Sequence, residues 1–563
     1  MASIPVSTSP GANIPLLPGP EPTLLLEGPK VVAPVKETPL LEGPVAPLLL
    51  EGPKLPTAGG TRLKTTASSL LALTFDPSPA AKTARITANI AELVKIRSQG
   101  GIDDPKAICK AILKQLEAAG LPGTLLTDEK GRPVGVTSEI VGGRPGPSYA
   151  LDAVVDTAPV GDLGSWKKDP FAAEISDGRM HGRGTADSKA AAAIFIELGR
   201  ELQAKQASLS GKAILFFDAA EHTGEFQGVK AFLAKYPKLD GVMIGYPGDH
   251  ELNIGSRGFL RSFVSAELAA PGDPAAIAAA IAAPPSRPLP QDKTEAFPHP
   301  PKLTVTAISA ETKPLEAAPR QHLALKIIGT AAHSGSSKNG GVNAIQKAGL
   351  VLEALAAAGA TVTGIKGGVG FAQIPDLVEL RVAFPSKEPK EIEAAVQKIL
   401  TEVDAKLPAA APSQIAESKA SSEASTQVRS VKLNVDVRTT PVFGEAEARA
   451  HLEKALAEAK KRGDLDVGVS EMAPWPAFGL AKDNPLRAAM EAAITQTKGA
   501  AVPSVISGPS NVGNLLASYG IPATTGFGVA FTGMHAANES IDLSSIPGVL
   551  EAYRGTMERL LGS

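Results

Sequence analysis

Four side chains in this chain of 563 residues have the types and positions that metal-assisted hydrolysis requires. Glu221 and His222 follow directly after an apolar run, Asp187 precedes an alanine-rich stretch, and His535 follows a glycine-rich segment. Two histidines and one carboxylate suit zinc and leave a fourth position open for water. A glutamate next to such a ligand is a natural base for deprotonating that water. For each residue alone, an ordinary hydrogen-bonding role at the end of a strand is the alternative.

The elements around these residues predict where the four side chains meet. Residues 213–217 and 241–244 are short apolar runs, which are typical of buried parallel strands. Helices alternate with the strands, and the first is predicted from apolar spacing after Lys82, with Gly100-Gly101 as its stop. Because ligands bind at the carboxyl ends of strands in open α/β sheets, we expect the four side chains to share one edge.

A second pattern begins near residue 259. Half-exposed strands alternate with helices there until about residue 470, which predicts an α+β region, and the first pattern then returns. We therefore predict a three-layer α/β catalytic domain divided between 81–258 and 471–563. A lid domain of the α+β class, at 259–470, is inserted into it.

The segment 1–80 differs from the rest because it is rich in Pro, Leu and Gly and contains a repeat. The sequence LLLEGPK at 24–30 recurs at 48–54, and a shorter copy, LLEGP, lies at 40–44. Dense prolines prevent helices and strand ladders, so we predict a disordered or polyproline-like segment. One interpretation is a low-complexity spacer. The other is an array of apolar docking motifs at 16–54 for a partner or shell protein, with avidity raised by repetition.

Composition excludes several classes of function. The net charge is −2 and aromatic residues make up 4%, so neither a basic face nor a base-stacking surface is expected and nucleic acid is not a predicted partner. Cys109 is the single cysteine, which suits a reducing cytoplasm. The sequence has no pattern typical of a signal peptide and no apolar stretch long enough for a membrane span, so we expect a cytoplasmic protein without a membrane partner.

Taken together and in order, these residues resemble the zinc aminoacylase/carboxypeptidase G-type metallopeptidase family, which includes succinyl-diaminopimelate desuccinylase-like and dipeptidase members. The resemblance covers roughly residues 85–563 and implies a zinc-exopeptidase-type catalytic domain. The motifs that carry it are, in chain order, VDTAP at 155–159, WKKDPF at 166–171, DGRMHGRG at 177–184, AEHTG at 220–224, GYP at 245–247, GSRG at 255–258, AHSG at 332–335, GVNAI at 341–345, DVR at 436–438, MH at 534–535 and NE at 538–539.

The resemblance also implies which metal ligands remain. The family's usual site holds two zinc ions, and the ligands private to the first are a His and a Glu, whose positions hold Val154 and Tyr246 here. At the second metal the resemblance implies Asp187, His222 and His535 as ligands; a histidine thus replaces the usual glutamate. Glu221 keeps the position of the base. Asp156, which would orient the missing His, either bonds another group of the site or caps a turn.

One zinc ion is therefore the favoured cofactor. Two ions, or another divalent metal, stay open as alternatives, with Asp249 or Asp152 as replacement oxygen ligands. His250 is assigned to a surface loop and His181 to packing. A catalytically inactive family member is the rival interpretation.

Within the lid, the resemblance assigns roles to three further residues. His333 would stabilise the oxyanion that forms on the scissile carbonyl. Asn343 and Arg438 would hold the substrate's terminal carboxylate, for which the planar guanidinium of arginine is suited. A structural salt bridge is the alternative for Arg438. The lid spans about 210 residues and resembles that of the dipeptidase branch, in which one enlarged lid mimics a dimer; monomer and dimer both stay open.

The predicted function is metal-dependent hydrolysis of an amide bond in a dipeptide or an N-acyl amino acid. The alternative is a catalytically inactive protein that keeps the fold and acts as a binding or scaffold protein.

Overall fold

The computed structural model describes residues 77–562, with gaps at 162, 286–288, 290–296, 336–340, 369, 371–372, 386–387, 410, 464 and 472–473. The predicted repeat segment thus lies outside the described residues up to position 76. Its last two residues, Pro79 and Ala80, already belong to the first helix.

The elements fall into three stretches of the chain. The first contains α1 (Pro79–Val94), α2 (Lys106–Ala118), β1 (Thr124–Thr127), β2 (Pro133–Val141), β3 (Arg144–Val154), β4 (Glu174–Ser176), β5 (Arg179–His181), α3 (Ala190–Ala204), β6 (Ser210–Asp218), α4 (Gln227–Lys235), β7 (Gly241–Ile244) and β8 (Leu252–Ser256). The second contains β9 (Gly258–Leu268), α5 (Pro274–Ala282), β10 (Lys302–Leu315), β11 (Arg320–Ile328), β12 (Ala332–His333), α6 (Ala344–Ala357), β13 (Thr361–Gly367), β14 (Gln373–Ile374), β15 (Leu377–Pro385), α7 (Pro389–Lys406), β16 (Gln414–Ser421), β17 (Ser425–Thr439), α8 (Glu445–Gly463) and β18 (Leu465–Glu471). The third contains β19 (Phe478–Gly479), α9 (Pro485–Lys498), β20 (Ser504–Ser507), α10 (Val512–Ser518), β21 (Ala523–Thr524), β22 (Phe531–Thr532), β23 (Ser540–Asp542) and α11 (Ile546–Leu561).

A six-stranded sheet in the order β1-β2-β6-β3-β7-β21 forms the centre of the α/β part. Strands β6, β3, β7 and β21 run parallel, and β1 and β2 extend the sheet antiparallel. Alternate residues of β3 enter different cores: Leu151 and Ala153 pack on one face, and Ala150 on the other. Helices supply apolar residues to both cores, which confirms the predicted three-layer α/β arrangement.

The first helix shows how sequence sets one of these layers. Ser78 accepts a hydrogen bond from the backbone N–H of Ala81 and proline occupies the first turn, both of which favour a helix start. The helix ends at Val94, well before Gly100-Gly101, so the predicted stop was wrong. It buries the four apolar residues whose spacing predicted it, Ile86, Ile90, Leu93 and Val94.

A separate eight-stranded sheet has the order β16-β11-β15-β13-β10-β17-β9-β18, and its pairs are antiparallel. Its strands share one core with α5, α6, α7 and α8. This is the α+β architecture predicted for the insert, and the sheet runs from residue 258 to residue 471. The domain limits 259–470 stay a prediction.

None of the helices among the described residues combines the length and the apolar character needed to cross a bilayer.

Candidate metal centre

Three neighbouring parallel strands deliver polar side chains to one edge of the six-stranded sheet. Asp156 follows β3, Glu221 and His222 follow β6, and Tyr246 follows β7. Because these strands are parallel, their carboxyl ends lie together, where α/β sheets bind ligands. The edge is the one at which the sequence predicted the site.

Asp187 and His535 join His222 at this edge. The Nε2 atom of His535 lies 2.7 Å from Oδ2 of Asp187 and 3.2 Å from Nε2 of His222. The distance from Nε2 of His222 to Oδ2 of Asp187 is 3.5 Å. Each residue thus offers one ligand atom, and the three atoms lie within 4.8 Å of one another. The structure brings together all three residues predicted as metal ligands.

The Asp187 carboxylate has the properties of a ligand for a cation. Its side chain is buried, and Oδ1 accepts no hydrogen bond from any described residue. Burial raises the pKa of this carboxyl, but the hydrogen bonds and charges of His222 and His535 outweigh burial and hold the pKa well below its usual range. An ionised, buried carboxylate with an unused oxygen beside two imidazoles matches the donor set of zinc. The residues present therefore fit a metal ion.

Asp156 organises the turn that contains the base and one ligand. Its carboxylate accepts hydrogen bonds from the backbone N–H groups of Glu221, at 3.1 Å, and His222, at 2.9 Å. Its Oδ1 also lies 3.3 Å from Nδ1 of the His222 ring. A carboxylate on Nδ1 directs the opposite nitrogen, Nε2, towards the other ligands. Of the two roles left open for Asp156, it takes the first and bonds site groups.

Glu221 lies beside the ligands, and the hydroxyl of Tyr246 donates a hydrogen bond of 3.0 Å to its Oε1. Its other oxygen, Oε2, is 3.3 Å from Nδ1 of His222. Burial raises the pKa of Glu221 above its ordinary value; the nearby charges of Asp187 and Asp156 add to this, while His222 and the Tyr246 hydroxyl act against it. A carboxylate with a raised pKa is a better proton acceptor at neutral pH.

Gly100, which the sequence predicted as part of a helix stop, lies beside the site. A Cβ atom added there would lie 2.7 Å from Oδ2 of Asp156 and 2.8 Å from Cβ of His222. Any side chain would therefore displace the turn that holds the base and the ligand. Local sequence patterns predict helix stops from glycine, but this close approach depends on residues more than 50 positions away.

The positions assigned to a first metal offer little to a cation. Val154 is buried, and its backbone exchanges hydrogen bonds with the Ser188 hydroxyl, at 3.0 and 3.1 Å. Asp249, an alternative ligand, instead pairs with Lys498 at 2.9 Å. Asp152 is buried with neither oxygen bonded to a described residue, and burial followed by the charge of Glu221 raises its pKa well above the ordinary value. Among the described residues, neither aspartate joins a group able to hold a metal.

Two other histidines lie away from the cluster. The side chain of His250 is 90% exposed and contacts Asp249. His181 belongs to β5, and its Nε2 is 3.2 Å from the Ser176 hydroxyl. Among the described residues, neither histidine joins a group able to hold a metal.

The lid residues are held mainly by the protein itself. Arg438 is buried, and its guanidinium donates hydrogen bonds to Asp436 at 2.7 Å, Ser510 at 2.8 Å and Ser334 at 2.9 Å. The ion pair with Asp436 is the structural alternative considered for Arg438. The proposed grip on a carboxylate stays a prediction.

Asn343 caps α6 rather than presenting a free amide. Its Oδ1 accepts from the backbone N–H groups of Ile345, at 2.9 Å, and Gln346, at 3.3 Å, and its Nδ2 donates to the carbonyl of Val305 at 2.8 Å. His333 is the second residue of β12 and pairs with Gln373. Its side chain lies outside the described part of the chain, so its predicted role stays a prediction.

Comparison with known proteins shows the family of this chain. A model of the peptidase family M20/M25/M40 matches residues 150–559. The chain belongs to this family. The resemblance predicted from the motifs is thereby confirmed.

Two curated relatives match short stretches of the chain. Succinyl-diaminopimelate desuccinylase from Wolbachia pipientis subsp. Culex pipiens is 36% identical over 121 residues, which make up 20% of this chain and 30% of that protein. Succinyl-diaminopimelate desuccinylase 2 from a Ruegeria species is 32% identical over 132 residues, or 22% of this chain and 33% of that protein. The matches span about a third of the length of these curated relatives.

Solved structures extend the similarity along the chain. The metallo-carboxypeptidase Sso-CP2 of Sulfolobus solfataricus aligns with a TM-score of 0.52 and 14% identity, over 84% of this chain and 98% of its own. The di-peptidase Dug1p of Saccharomyces cerevisiae aligns with a TM-score of 0.50 and 13% identity, over 86% and 98%. At these identities the similarity concerns the fold alone.

Proposed function

We propose that the protein is a metal-dependent hydrolase that cleaves the amide bond of a dipeptide or an N-acyl amino acid. The observation that carries this proposal is the convergence of Asp187, His222 and His535, with Glu221 beside them. Family membership supports amide hydrolysis, and the relatives include proteins named desuccinylase and di-peptidase. We assign one zinc ion to the three ligands because Val154 and Tyr246 occupy the positions of the first metal's private ligands.

A zinc ion at this centre would polarise a carbonyl and make a water more acidic. Glu221 then acts as the general base, accepting a proton from the attacking water and passing it to the leaving amine. The Tyr246 hydroxyl holds Oε1 of Glu221 and Oε2 lies 3.3 Å from Nδ1 of His222, so the carboxylate is held beside that ligand. We further propose that His333 stabilises the oxyanion and that Arg438 and Asn343 hold the terminal carboxylate.

Metal content tests the centre directly. The purified full chain should contain close to one zinc per chain, and His535→Ala should lose it because one of three protein ligands is gone. His250→Ala is the matched control, since that imidazole is exposed and lies on the surface. Folded protein that binds no zinc near neutral pH would overturn the enzyme assignment and favour an inactive binding protein.

The substrate is addressed by a screen on the zinc-loaded protein. A panel of dipeptides and a panel of N-acyl amino acids, each with a free and an amidated carboxyl end, should reveal turnover in one class. Loss of turnover on amidation supports recognition of a terminal carboxylate. Equal turnover of the free and amidated compounds would remove that role from Arg438 and Asn343.

For the segment 16–54 we propose docking to a protein partner, on the ground that its repeated Leu-Leu pairs serve no purpose in a simple spacer. We also propose a cytoplasmic location, which suits the single cysteine. Deleting residues 1–76, which keeps α1 and its cap Ser78, should leave zinc binding intact and abolish recruitment. Unchanged assembly or location after the deletion would reduce the segment to a spacer.

A further inference from the structure

We propose that Arg183 and Glu539 form a reciprocal brace that positions two of the metal ligands, Asp187 and His535, relative to each other. Neither residue is a ligand, and both act through backbone groups next to the ligands. The inference rests on the proposed function, because it concerns the geometry of the same metal centre.

The brace is a buried ion pair. Nη1 of Arg183 contacts Oε2 of Glu539, and the two side chains are 2% and 1% exposed. The guanidinium carbon of Arg183 also lies 5.2 Å from the centre of the Trp166 ring, which covers it on one side. A buried charge pair of this kind costs desolvation and is weak evidence for stability alone. Its location therefore calls for another explanation.

Glu539 holds the turn that contains Asp187. Its Oε1 accepts a hydrogen bond of 2.8 Å from the backbone N–H of Ala186 and a longer one of 3.4 Å from that of Asp187. Its backbone carbonyl accepts from the N–H of Gly182 at 2.9 Å. A residue four positions after His535 thus fixes the backbone on which Asp187 is placed.

Arg183, in turn, holds the backbone next to His535. Its Nη2 donates to the carbonyl of Ala536 at 3.2 Å, which is the residue directly after His535. The same nitrogen donates to the carbonyl of Pro159 at 3.1 Å, on the loop that follows Asp156. A residue four positions before Asp187 thus fixes the backbone next to His535.

The ligands need such a connection because of how they are presented. Asp187 and His535 are 348 residues apart in the chain, and their segments meet through the short strands β5 and β23. His535 lies on a loop with a positive φ of 64°, and its side chain is 37% exposed. An exposed loop holds its side chains less precisely than a strand or helix does. The buried ion pair fixes the backbone of that loop through the carbonyl of Ala536.

Loss of the brace should therefore lower metal affinity in addition to destabilising the fold. Partners that orient metal ligands are worth about 10- to 100-fold in metal affinity. Removing one charge leaves the other buried without a partner, so the single variants Arg183→Met and Glu539→Gln are joined by the double variant, which removes both charges.

The experiment compares these three full-chain variants with the wild type and with Lys347→Met. Lys347 is also fully buried and pairs with a carboxylate, Asp404, at 2.5 Å, but it belongs to the lid's α6. Zinc affinity is measured by competition with a chelator, folding by thermal melting, and ligand geometry by the visible spectrum of the cobalt-substituted protein. We expect zinc affinity to fall about 10- to 100-fold in all three brace variants, with an altered cobalt spectrum. Lys347→Met should melt earlier yet keep wild-type affinity.

Wild-type zinc affinity and an unchanged cobalt spectrum in the brace variants would overturn the inference. A wild type that binds no zinc overturns the proposed function first and the inference with it, so the two failures are distinguishable. If the variants do not fold, hydrogen exchange on the wild type decides. Zinc should slow exchange of the Ala186 amide and of the amides at 535–539 together; protection of one segment without the other contradicts the brace.

Discussion

The residues predicted to hold a metal and those predicted to hold a carboxylate differ in how their polar atoms are bonded within the protein. At the metal centre, Asp187, His222 and His535 point ligand atoms at one another within 4.8 Å, and one oxygen of Asp187 has no partner among the described residues. In the lid, Arg438 makes three hydrogen bonds to protein side chains, and Asn343 uses both its acceptor and its donor on backbone groups.

This difference separates groups arranged to bind a cation from groups that hold the fold in place. A buried carboxylate oxygen without a hydrogen-bond partner is costly, and a cation bound to it removes that cost. Groups whose hydrogen bonds are already made within the protein stabilise the conformation in which they are seen. The metal centre should therefore respond to substitution in binding and turnover, and the lid residues should respond in stability.

Glu221→Gln should give the largest effect. The amide keeps the shape and the hydrogen bond from Tyr246 but cannot accept the proton, so kcat should fall about 10²- to 10⁴-fold. Zinc content should stay near that of the wild type, because Glu221 is not one of the assigned ligands. Steady-state kinetics and metal analysis on the same preparation measure both. Turnover within a few-fold of wild type would exclude Glu221 as the base.

Arg438→Met should give the next largest effect, and this effect is on the free energy of unfolding rather than on turnover. Breaking a buried ion pair costs about 3–5 kcal/mol, and the lower end applies because Arg261 remains 3.6 Å from Asp436. Urea unfolding should show this loss, while zinc affinity should not change. A variant with wild-type stability would show that the contacts of Arg438 contribute little to the fold and would leave substrate binding as its main role.

The same contrast explains which residues could be predicted from the sequence. His222 lies at the end of an apolar run, and parallel strands bring such ends together at one end of the sheet. Asp187 and His535 also lie beside local signals, but their segments meet through the antiparallel pair of β5 and β23. The two sheets were predictable because the apolar pattern changes near residue 259. The end of α1 could not be predicted in this way. Gly100 was interpreted as a helix stop, whereas it lies close to His222, a tertiary contact that no local pattern contains.

Pairings between distant segments also could not be predicted from the sequence. Arg183 and Glu539 both lie in motifs recognised in the sequence, yet 356 residues separate them. Their opposite charges and their equal spacing of four residues from a ligand were the available signal. Tyr246 was seen as a missing carboxylate, whereas its hydroxyl bonds Glu221, which depends on the alignment of β6 and β7 across β3.

The zinc-free metal centre should also show a pH dependence of stability. Burial lowers the pKa of His222, but the charges of Glu221 and Asp156 and the hydrogen bonds to Asp156 and Asp187 outweigh it, so the pKa lies well above its ordinary value. A raised pKa in the folded state stabilises fully below the unfolded value of about 6.5, and this stability is lost as pH rises through the folded pKa. The pKa of Asp187 is lowered, so its contribution is lost only in acid.

Melting with and without EDTA between pH 6 and pH 9 tests this. The EDTA-treated protein should lose up to about 1.4 kcal/mol per pH unit as His222 releases its proton. The gain from zinc should grow over the same range, since a neutral imidazole is needed for binding. In His222→Gln the slope should flatten. A metal-free wild type with the same stability at both ends of the range would contradict the assignment.

Asn343→Ala should give the smallest effect, because it removes a helix cap on the lid. Loss of an Asn cap costs about 1 kcal/mol, and the hydrogen bond to Val305 is lost with it.

Asn343→Asp is the matched control: it keeps the cap acceptor but gives up the donor and adds a negative charge. If Asn343 only caps α6, the aspartate variant should recover most of the stability with an unchanged KM. If its amide also meets the substrate's carboxylate, the aspartate variant should raise KM more than the alanine variant does, because like charges repel. Thermal melting and KM on the same three proteins thus decide whether the contrast between the two regions holds at its weakest point.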